Sequence, residues 1–352
     1  MAKTITLPGL IDVHTHMRTP GQSHKEDFFT GTKAAVNGGF TTVIDMPNNG
    51  IPITTYELLD EKIKIARSQA ICDIGFHFGS LGDNLSEFRK IKEKVFGLKL
   101  YLNQTTGGFI IGKKELTAIY ASWESNQPIL LHAEEDVLDM VFEIVRKTKK
   151  RTHICHVSSE MELTKIAKAK EGGLPVTCGI TPHHLFLTNS DEKKLGVYGK
   201  MKPYLKSKKD VKFMWDKLSY IDIVESDHAP HTIKEKESEA PFGVPGLDTT
   251  LPLLLTAVEE GKLTVDEIIK LCHTNPAKTF NVPTAKNTLI DVEMKEYTLT
   301  KKDLKTKCGW SPFEGRKVIG KVRSVTIRGK EIYKNGKLAV KKGSGKVISP
   351  SI

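Results

Sequence analysis

The chain has 352 residues, with 53 Lys and Arg against 42 Asp and Glu, a formal net charge of +11. Hydrophobic residues make up 39% and charged residues 27%, which excludes a disordered chain, and no run approaches the 18 apolar residues of a membrane span. Five scattered cysteines and a start, Met1–Pro8, without an apolar leader core fit a cytoplasmic protein with reduced thiols rather than a secreted disulfide scaffold.

Near-continuous apolar runs predict eight strands in chain order: Leu10–His16, Thr41–Pro47, Cys72–Gly79, Gly97–Leu102, Pro128–Glu134, Thr152–Val157, Pro175–Ile180 and Asp222–Asp227. Such runs suit parallel strands covered on both faces, whereas half-exposed strands alternate. Amphipathic helical stretches lie between them. Three begin with a hydroxyl residue three positions before a glutamate, at Thr54/Glu57, Ser159/Glu162 and Thr264/Glu267, the spacing of a capping box. Strands alternating with helices predict an α/β fold, a (β/α)8 TIM-type barrel over residues 1–284, with a doubly wound open sheet as the competitor.

After residue 285 the pattern changes. Val318–Ile327 and Glu331–Val340 read as strands, and Asn335-Gly336 is a type I′ hairpin signal because both central residues need positive φ. A small β appendage over 285–352 is predicted. It carries 17 Lys and Arg against 6 Asp and Glu, leaving 36 of each sign in the rest of the chain. The whole +11 therefore belongs to the tail. It contains no aromatic interleaving or nucleic-acid motif, so a solvated surface or a docking face for an acidic partner is the expectation, not nucleic-acid or membrane binding.

The polar residues at the strand ends carry the chemistry. Asp12-Val13-His14-Thr15-His16 places two imidazoles two residues apart, on one side of a strand. Alone, that pair is also what two hydrogen-bonded core histidines would look like. However, His132, His156 and Asp227 end three further strands, and a closed barrel brings all these ends to one mouth. Neutral imidazoles with a carboxylate are a zinc-type donor set. Lys99, inside Gly97-Leu98-Lys99-Leu100-Tyr101, is the odd member. It is either a lysine snorkelling to water or, if neutral and buried beside cations, an amine able to take up CO2 as an anionic carbamate.

These motifs resemble the dihydroorotases of the amidohydrolase superfamily, and within them the dihydroorotase part of the animal multifunctional pyrimidine-synthesis protein. The resemblance runs from Leu7-Pro8-Gly9-Leu10-Ile11-Asp12 to Ser311-Pro312-Phe313-Glu314-Gly315 and rests on D-V-H-T-H-M-R (Asp12–Arg18), Met46-Pro47-Asn48, G-L-K-L-Y (Gly97–Tyr101) and S-D-H-A-P-H (Ser226–His231). It implies a binuclear zinc enzyme that reversibly cyclises N-carbamoyl-L-aspartate to L-dihydroorotate. By it, His14, His16 and Asp227 hold one Zn2+, His132 and His156 the other, and N6-carboxylated Lys99 and a water or hydroxide bridge them. Asp227 is then the proton carrier.

Arg18, Asn48 and His231 match the family's carboxylate-binding residues, and Arg18 with Met46-Pro47-Asn48 separates this reading from allantoinases and hydantoinases. Lys202 stands where relatives usually have arginine or asparagine; it keeps the charge and loses the planar fork. Gly179 stands where the animal enzyme has a glutamate associated with an additional zinc, so two metals are expected, with Cys155 a buried thiol. Gly243 belongs to a loop, Phe242–Gly246, that offers backbone to substrate. The Asn103–Gly112 loop, including Thr105, follows Lys99, and its glycines allow it to close over substrate without showing that it does. His183 and His184 are expected behind the ligands or in structural roles, and His228 on the far side of Asp227. The short stretch before Leu10 leaves little sequence for the N-terminal β domain that many relatives carry. A catalytically silent scaffold, a homodimer and an association with aspartate carbamoyltransferase stay open.

Overall fold

The structure, a computed structural model, describes residues 3–105 and 110–351. Its strands in chain order are β1 (Thr4–Pro8), β2 (Leu10–Thr15), β3 (Phe40–Asp45), β4 (Asp73–Phe76), β5 (Phe78–Gly79), β6 (Leu98–Tyr101), β7 (Ile129–His132), β8 (Thr152–Ile154), β9 (Val176–Ile180), β10 (Ile223–Val224), β11 (Leu289–Thr298), β12 (Lys317–Ile327), β13 (Lys330–Lys334) and β14 (Lys337–Leu338). Strands β2 to β4 pair in parallel, as do β5 to β10, each beside its sequence neighbour. β4 and β5 are halves of one extended segment, joined through His77, whose N–H donates to the Asp45 carbonyl at 2.9 Å. The ring closes where Thr15 bridges His228 in parallel and the His16 N–H donates to the His228 carbonyl at 2.8 Å. Closure decides for the barrel over the open sheet.

The strands form where apolar residues can be covered on both faces. All of β2, β3, β4, β6 and β7 is buried. Ile11, Val13, Ile44, Leu130 and Ile223 from four barrel strands share one cluster with Phe96 and Phe280, while the larger cluster packs helices against the ring. The helix following β8, Glu160–Glu171, starts with the expected Ser159/Glu162 capping box, and Thr264/Glu267 likewise opens Val265–Ile269. The first expected box is displaced by one residue. Thr55 caps Tyr56–Gln69, and the free Tyr56 N–H goes to the Glu87 carboxylate at 2.8 Å rather than to Glu57.

The second sheet has the order β1-β11-β12-β13-β14 and is antiparallel. The hairpin turn is as expected, with Asn335 at φ 47° and Gly336 at φ 85°, and it splits the anticipated Glu331–Val340 strand into β13 and β14. Two strands escaped the sequence reading, β1 and β11, which pair along Thr4–Pro8 and Leu289–Glu293. The N-terminal stretch thus supplies an edge strand to the appendage sheet. Other tail residues return to the barrel: the Trp310 indole N–H donates to the His231 carbonyl at 2.8 Å, and Val347 bridges Ile74. Some tail cations are paired within the tail, Lys317 with Glu296 at 2.9 Å and Lys321 with Asp303 at 2.9 Å, while Arg328 pairs with Asp73 of the barrel. No helix among the described residues is long and apolar enough to cross a membrane.

Candidate active site

The polar ends of β2, β7, β8 and the segment after β10 converge. Asp12, buried at the centre of β2, accepts the His14 N–H at 3.0 Å and the Ser226 N–H at 3.2 Å, locking the two strand ends that carry His14, His16 and Asp227. The β2–β3 pairing has an irregularity between Asp12 and Thr15, and such irregularities re-aim the side chains they span. Asp227 (φ 43°) and His156 (φ 39°) are both left-handed non-glycine residues, a conformation held only where surrounding contacts over-determine it.

The result is a tight cluster. Asp227 Oδ1 lies 3.3 Å from His14 Nε2 and 3.0 Å from His16 Nε2, and His132 Nδ1 lies 3.0 Å from His156 Nε2. His14, His156 and Asp227 offer donor atoms all within 4.8 Å of one another. An ion about 2 Å from each ligand sets tetrahedral corners roughly 3.3 Å apart, so the Asp227–imidazole spacings fit a metal. His156 Nδ1 and His132 Nε2 are buried without a hydrogen-bond partner among the described residues. Charge follows the same geometry. Burial opposes a proton on His14, but Asp227 and Glu225 outweigh it and push its pKa up to about 10. Burial likewise opposes charge on Asp227, yet His14 and His16 hold that carboxyl well below its usual range.

Lys99 is 1% exposed, and its Nζ lies 3.2 Å from Cys155 Sγ and 5.0 Å from the Tyr101 ring centre. No carboxylate pairs with it among the described residues. Cys155 in turn forms a second potential ligand group with His14 and Glu225. Lys99 therefore sits in the cluster and does not snorkel to water.

A small cavity opens over the cluster, lined by His14, His16, His132, His156 and Asp227 with Asn48, Thr105, Lys202 and Gly243. Asn48 Oδ1 lies 2.7 Å from His16 Nδ1. Lys202 Nζ stands over Tyr204, 3.8 Å from the ring centre. Of the Asn103–Gly112 loop, residues 106–109 lie outside the described residues. Arg18 and His231 do not line the cavity; His231 stands beside Gly243, where a Cβ would come within 3.3 Å of it. Arg18 is 5% exposed, donates its Nε–H to the Pro230 carbonyl at 3.0 Å and places Nη2 3.1 Å from His231 Nε2, with no carboxylate ion pair among the described residues. Burial, then Arg18 and Lys25, push His231 far down, so its ring is neutral. His228 lies outside the cluster, accepting from the Gly246 N–H at 3.2 Å through Nδ1. His184 bonds Thr181 and the Pro203 carbonyl, which is structural, whereas buried His183 Nε2 is unpartnered among the described residues.

Several supporting residues were not singled out from sequence. Tyr101 lines the cavity with a hydroxyl that is unpartnered among the described residues. Lys236 is fully buried and donates to three carbonyls, Pro241 at 2.8 Å, Lys200 at 3.1 Å and Gly243 at 3.2 Å, tying together the loops that carry Lys202 and Gly243. Lys62 pairs with Asp45 at 2.7 Å and bonds the Met46 carbonyl and Asn49, while Asp45 also accepts the Met17 N–H at 2.7 Å. That buried pair braces the loops of Arg18 and Asn48. The sequence signal was a lysine on the apolar face of a helix.

Residues 5–289 match the amidohydrolase family. The chain is 41% identical over 350 residues to the multifunctional protein CAD of Squalus acanthias, covering 98% of this chain and 16% of that protein. It is 34% identical over 368 residues to the dihydroorotase of Pyrococcus abyssi, covering 98% of this chain and 87% of the relative. Among solved structures, the L-hydantoinase (dihydropyrimidinase) of Arthrobacter aurescens superposes with a TM-score of 0.93 at 24% identity, over 98% of this chain and 89% of that one, a likeness of fold. The chain thus spans about a sixth of the multifunctional relative and most of the archaeal one.

Proposed function

We propose, from the premise that this chain belongs to the amidohydrolase family and within it to the dihydroorotases, that it interconverts N-carbamoyl-L-aspartate and L-dihydroorotate in pyrimidine synthesis. The observation that carries this reading is one cavity where His14, His16, His132, His156 and Asp227 converge, with the buried Arg18, which has no carboxylate ion pair among the described residues, bonded to His231 beside it. Two Zn2+ ions, held by His14, His16 and Asp227 and by His132 and His156 and bridged by carboxylated Lys99, would polarise the ring amide and activate a water.

The remaining work falls to the chain's own groups. Lys99 is suited to a carbamate because an unpaired buried ammonium is costly; its amine adds to CO2, loses a proton and becomes an anion. Asp227, held ionised, is the base that takes the water's proton and returns it to the leaving ring nitrogen, and in the cyclising direction it moves the proton the other way. Arg18, Asn48 and His231 orient the substrate carboxylate, with Lys202, Thr105 and the backbone of Gly243 completing the contacts. Gly243, at φ 128°, carries no side chain that would crowd Ala229 and His231, so Arg18 and His231 would reach the substrate once the loop around Gly243 shifts.

Complete donor sets favour an active enzyme over a silent scaffold. Similarity to part of a multifunctional protein supports an assembly with a neighbouring enzyme, aspartate carbamoyltransferase being the partner proposed, and the buried unpaired cysteines support the cytoplasm. The test of substrate is turnover of dihydroorotate beside hydantoin and allantoin by zinc-replete protein. Turnover of dihydroorotate alone is expected; turnover of either other amide without dihydroorotate overturns the assignment.

A further inference from the structure

Glu225 is 0% exposed and lies two residues before Asp227, beneath the cluster. A carboxylate so placed is costly unless fully engaged. Its Oε1 accepts the His156 N–H at 2.5 Å and lies 3.5 Å from His14 Nδ1, while Oε2 lies 3.3 Å from His153 Nε2. One side chain therefore touches residues from both proposed zinc sites. It faces the ring nitrogen of His14 opposite the one that meets Asp227, and it grips the backbone of His156 where that residue is held at φ 39°.

The neighbouring strand is cut to fit. Gly179 in β9 has no side chain, and a Cβ built there would sit 2.5 Å from the Glu225 carboxyl carbon and 2.6 Å from Oε1. Gly179 has ordinary rather than positive φ, so the turn chemistry that usually explains glycine does not apply. The space is what it supplies.

We infer that Glu225 is a positioning residue for metal binding: its carboxylate orients the His14 ring and anchors the His156 backbone, and Gly179 is glycine to leave it room. This rests on the zinc reading above. Carboxylate partners of ligating histidines fix the tautomer and the ring direction, and losing one typically weakens metal affinity or activity about 10- to 100-fold.

The test is zinc retention of the holoenzyme against a chromogenic chelator, read as the equivalents held and the rate of release, for wild type, Glu225→Gln, Glu225→Ala, Gly179→Ala and Gly179→Ala/Glu225→Ala. Glu225→Gln and Glu225→Ala should each release zinc about 10- to 100-fold faster. Gly179→Ala should do the same by displacing the carboxylate, yet add less than about twofold in the Glu225→Ala background, because contacting residues couple and the clash is then gone. If Glu225→Gln fails to fold, the two Gly179 variants carry the comparison. Wild-type release rates in the Glu225 variants, or an equal Gly179→Ala effect in both backgrounds, would overturn the inference. A wild type that holds no zinc would instead defeat the zinc reading itself.

Discussion

Replacing Arg18 by methionine removes a buried cation while keeping most of the side-chain volume. In the structure its Nε–H is satisfied by the Pro230 carbonyl at 3.0 Å, but no acidic group pairs with the guanidinium among the described residues, and burial lowers its pKa. Such an unpaired charge contributes little to folding, so the variant should unfold at or above the wild-type denaturant midpoint. Binding behaves oppositely. A hydrogen bond to a charged group is worth about 1.5–3 kcal/mol, which at 1.4 kcal/mol per tenfold is a loss of about 10- to 150-fold in kcat/KM for dihydroorotate. On the proposed reading Asn48, His231 and Lys202 would still hold the substrate, and the contact would be made equally in ground and transition states. Most of the loss should therefore appear in KM. Arg18→Lys should recover only part of it, since the charge returns without the fork. The assay is steady-state kinetics in both directions beside urea unfolding. Unchanged kcat/KM, or a loss of stability without a kinetic effect, would make Arg18 a structural arginine and refute the reasoning.

Lys99→Ala should abolish most turnover and lower bound zinc; full activity in that variant would end the carbamate proposal. Lys236→Met should raise KM several-fold with a smaller change in kcat, because the three carbonyls it ties at 2.8–3.2 Å position the Lys202 and Gly243 loops; unaltered KM would remove it from the substrate site. His77 is pushed down to about 3 by burial, and then by His14 and Lys99. The unfolded chain takes up this proton near pH 6.5 and the folded one does not, so its contribution is full above pH 6.5 and is lost as pH falls toward 3, at about 1.4 kcal/mol per pH unit. Urea unfolding at pH 7 and pH 5.5 should therefore show a shallower acid loss in His77→Gln than in wild type, and parallel losses would contradict the assignment.

The barrel was legible because its strands are buried on both faces and so are written as local apolar runs. The convergence of His14, His16, His132, His156 and Asp227 was legible for a related reason: strand ends meet at one mouth of a closed barrel, which turns isolated histidines into one cluster. Pairings between distant segments were not legible. β1 meets β11 across nearly the whole chain, and Thr4–Pro8, exposed along much of its length, reads locally as a leader to β2. Lys236 sits in the charged run Ile233-Lys234-Glu235-Lys236, where a solvated helix face is the natural reading, and only the fold turns it inward. Glu225 was overshadowed by Asp227, and Gly179 looked like the loss of a carboxylate; the structure instead shows one entering the same space from the adjacent strand. That Arg18 and His231 bond each other off the cavity wall, with His231 beside Gly243, also required the folded loops.

The most direct test of the account is a dihydroorotate assay paired with zinc analysis on one preparation, before and after chelation and after zinc is returned. The account predicts about two zinc equivalents, interconversion of dihydroorotate and carbamoyl aspartate, loss of both on chelation and recovery of both together. Dihydroorotate turnover that persists after zinc is stripped, or zinc-replete protein that leaves dihydroorotate untouched, would contradict it.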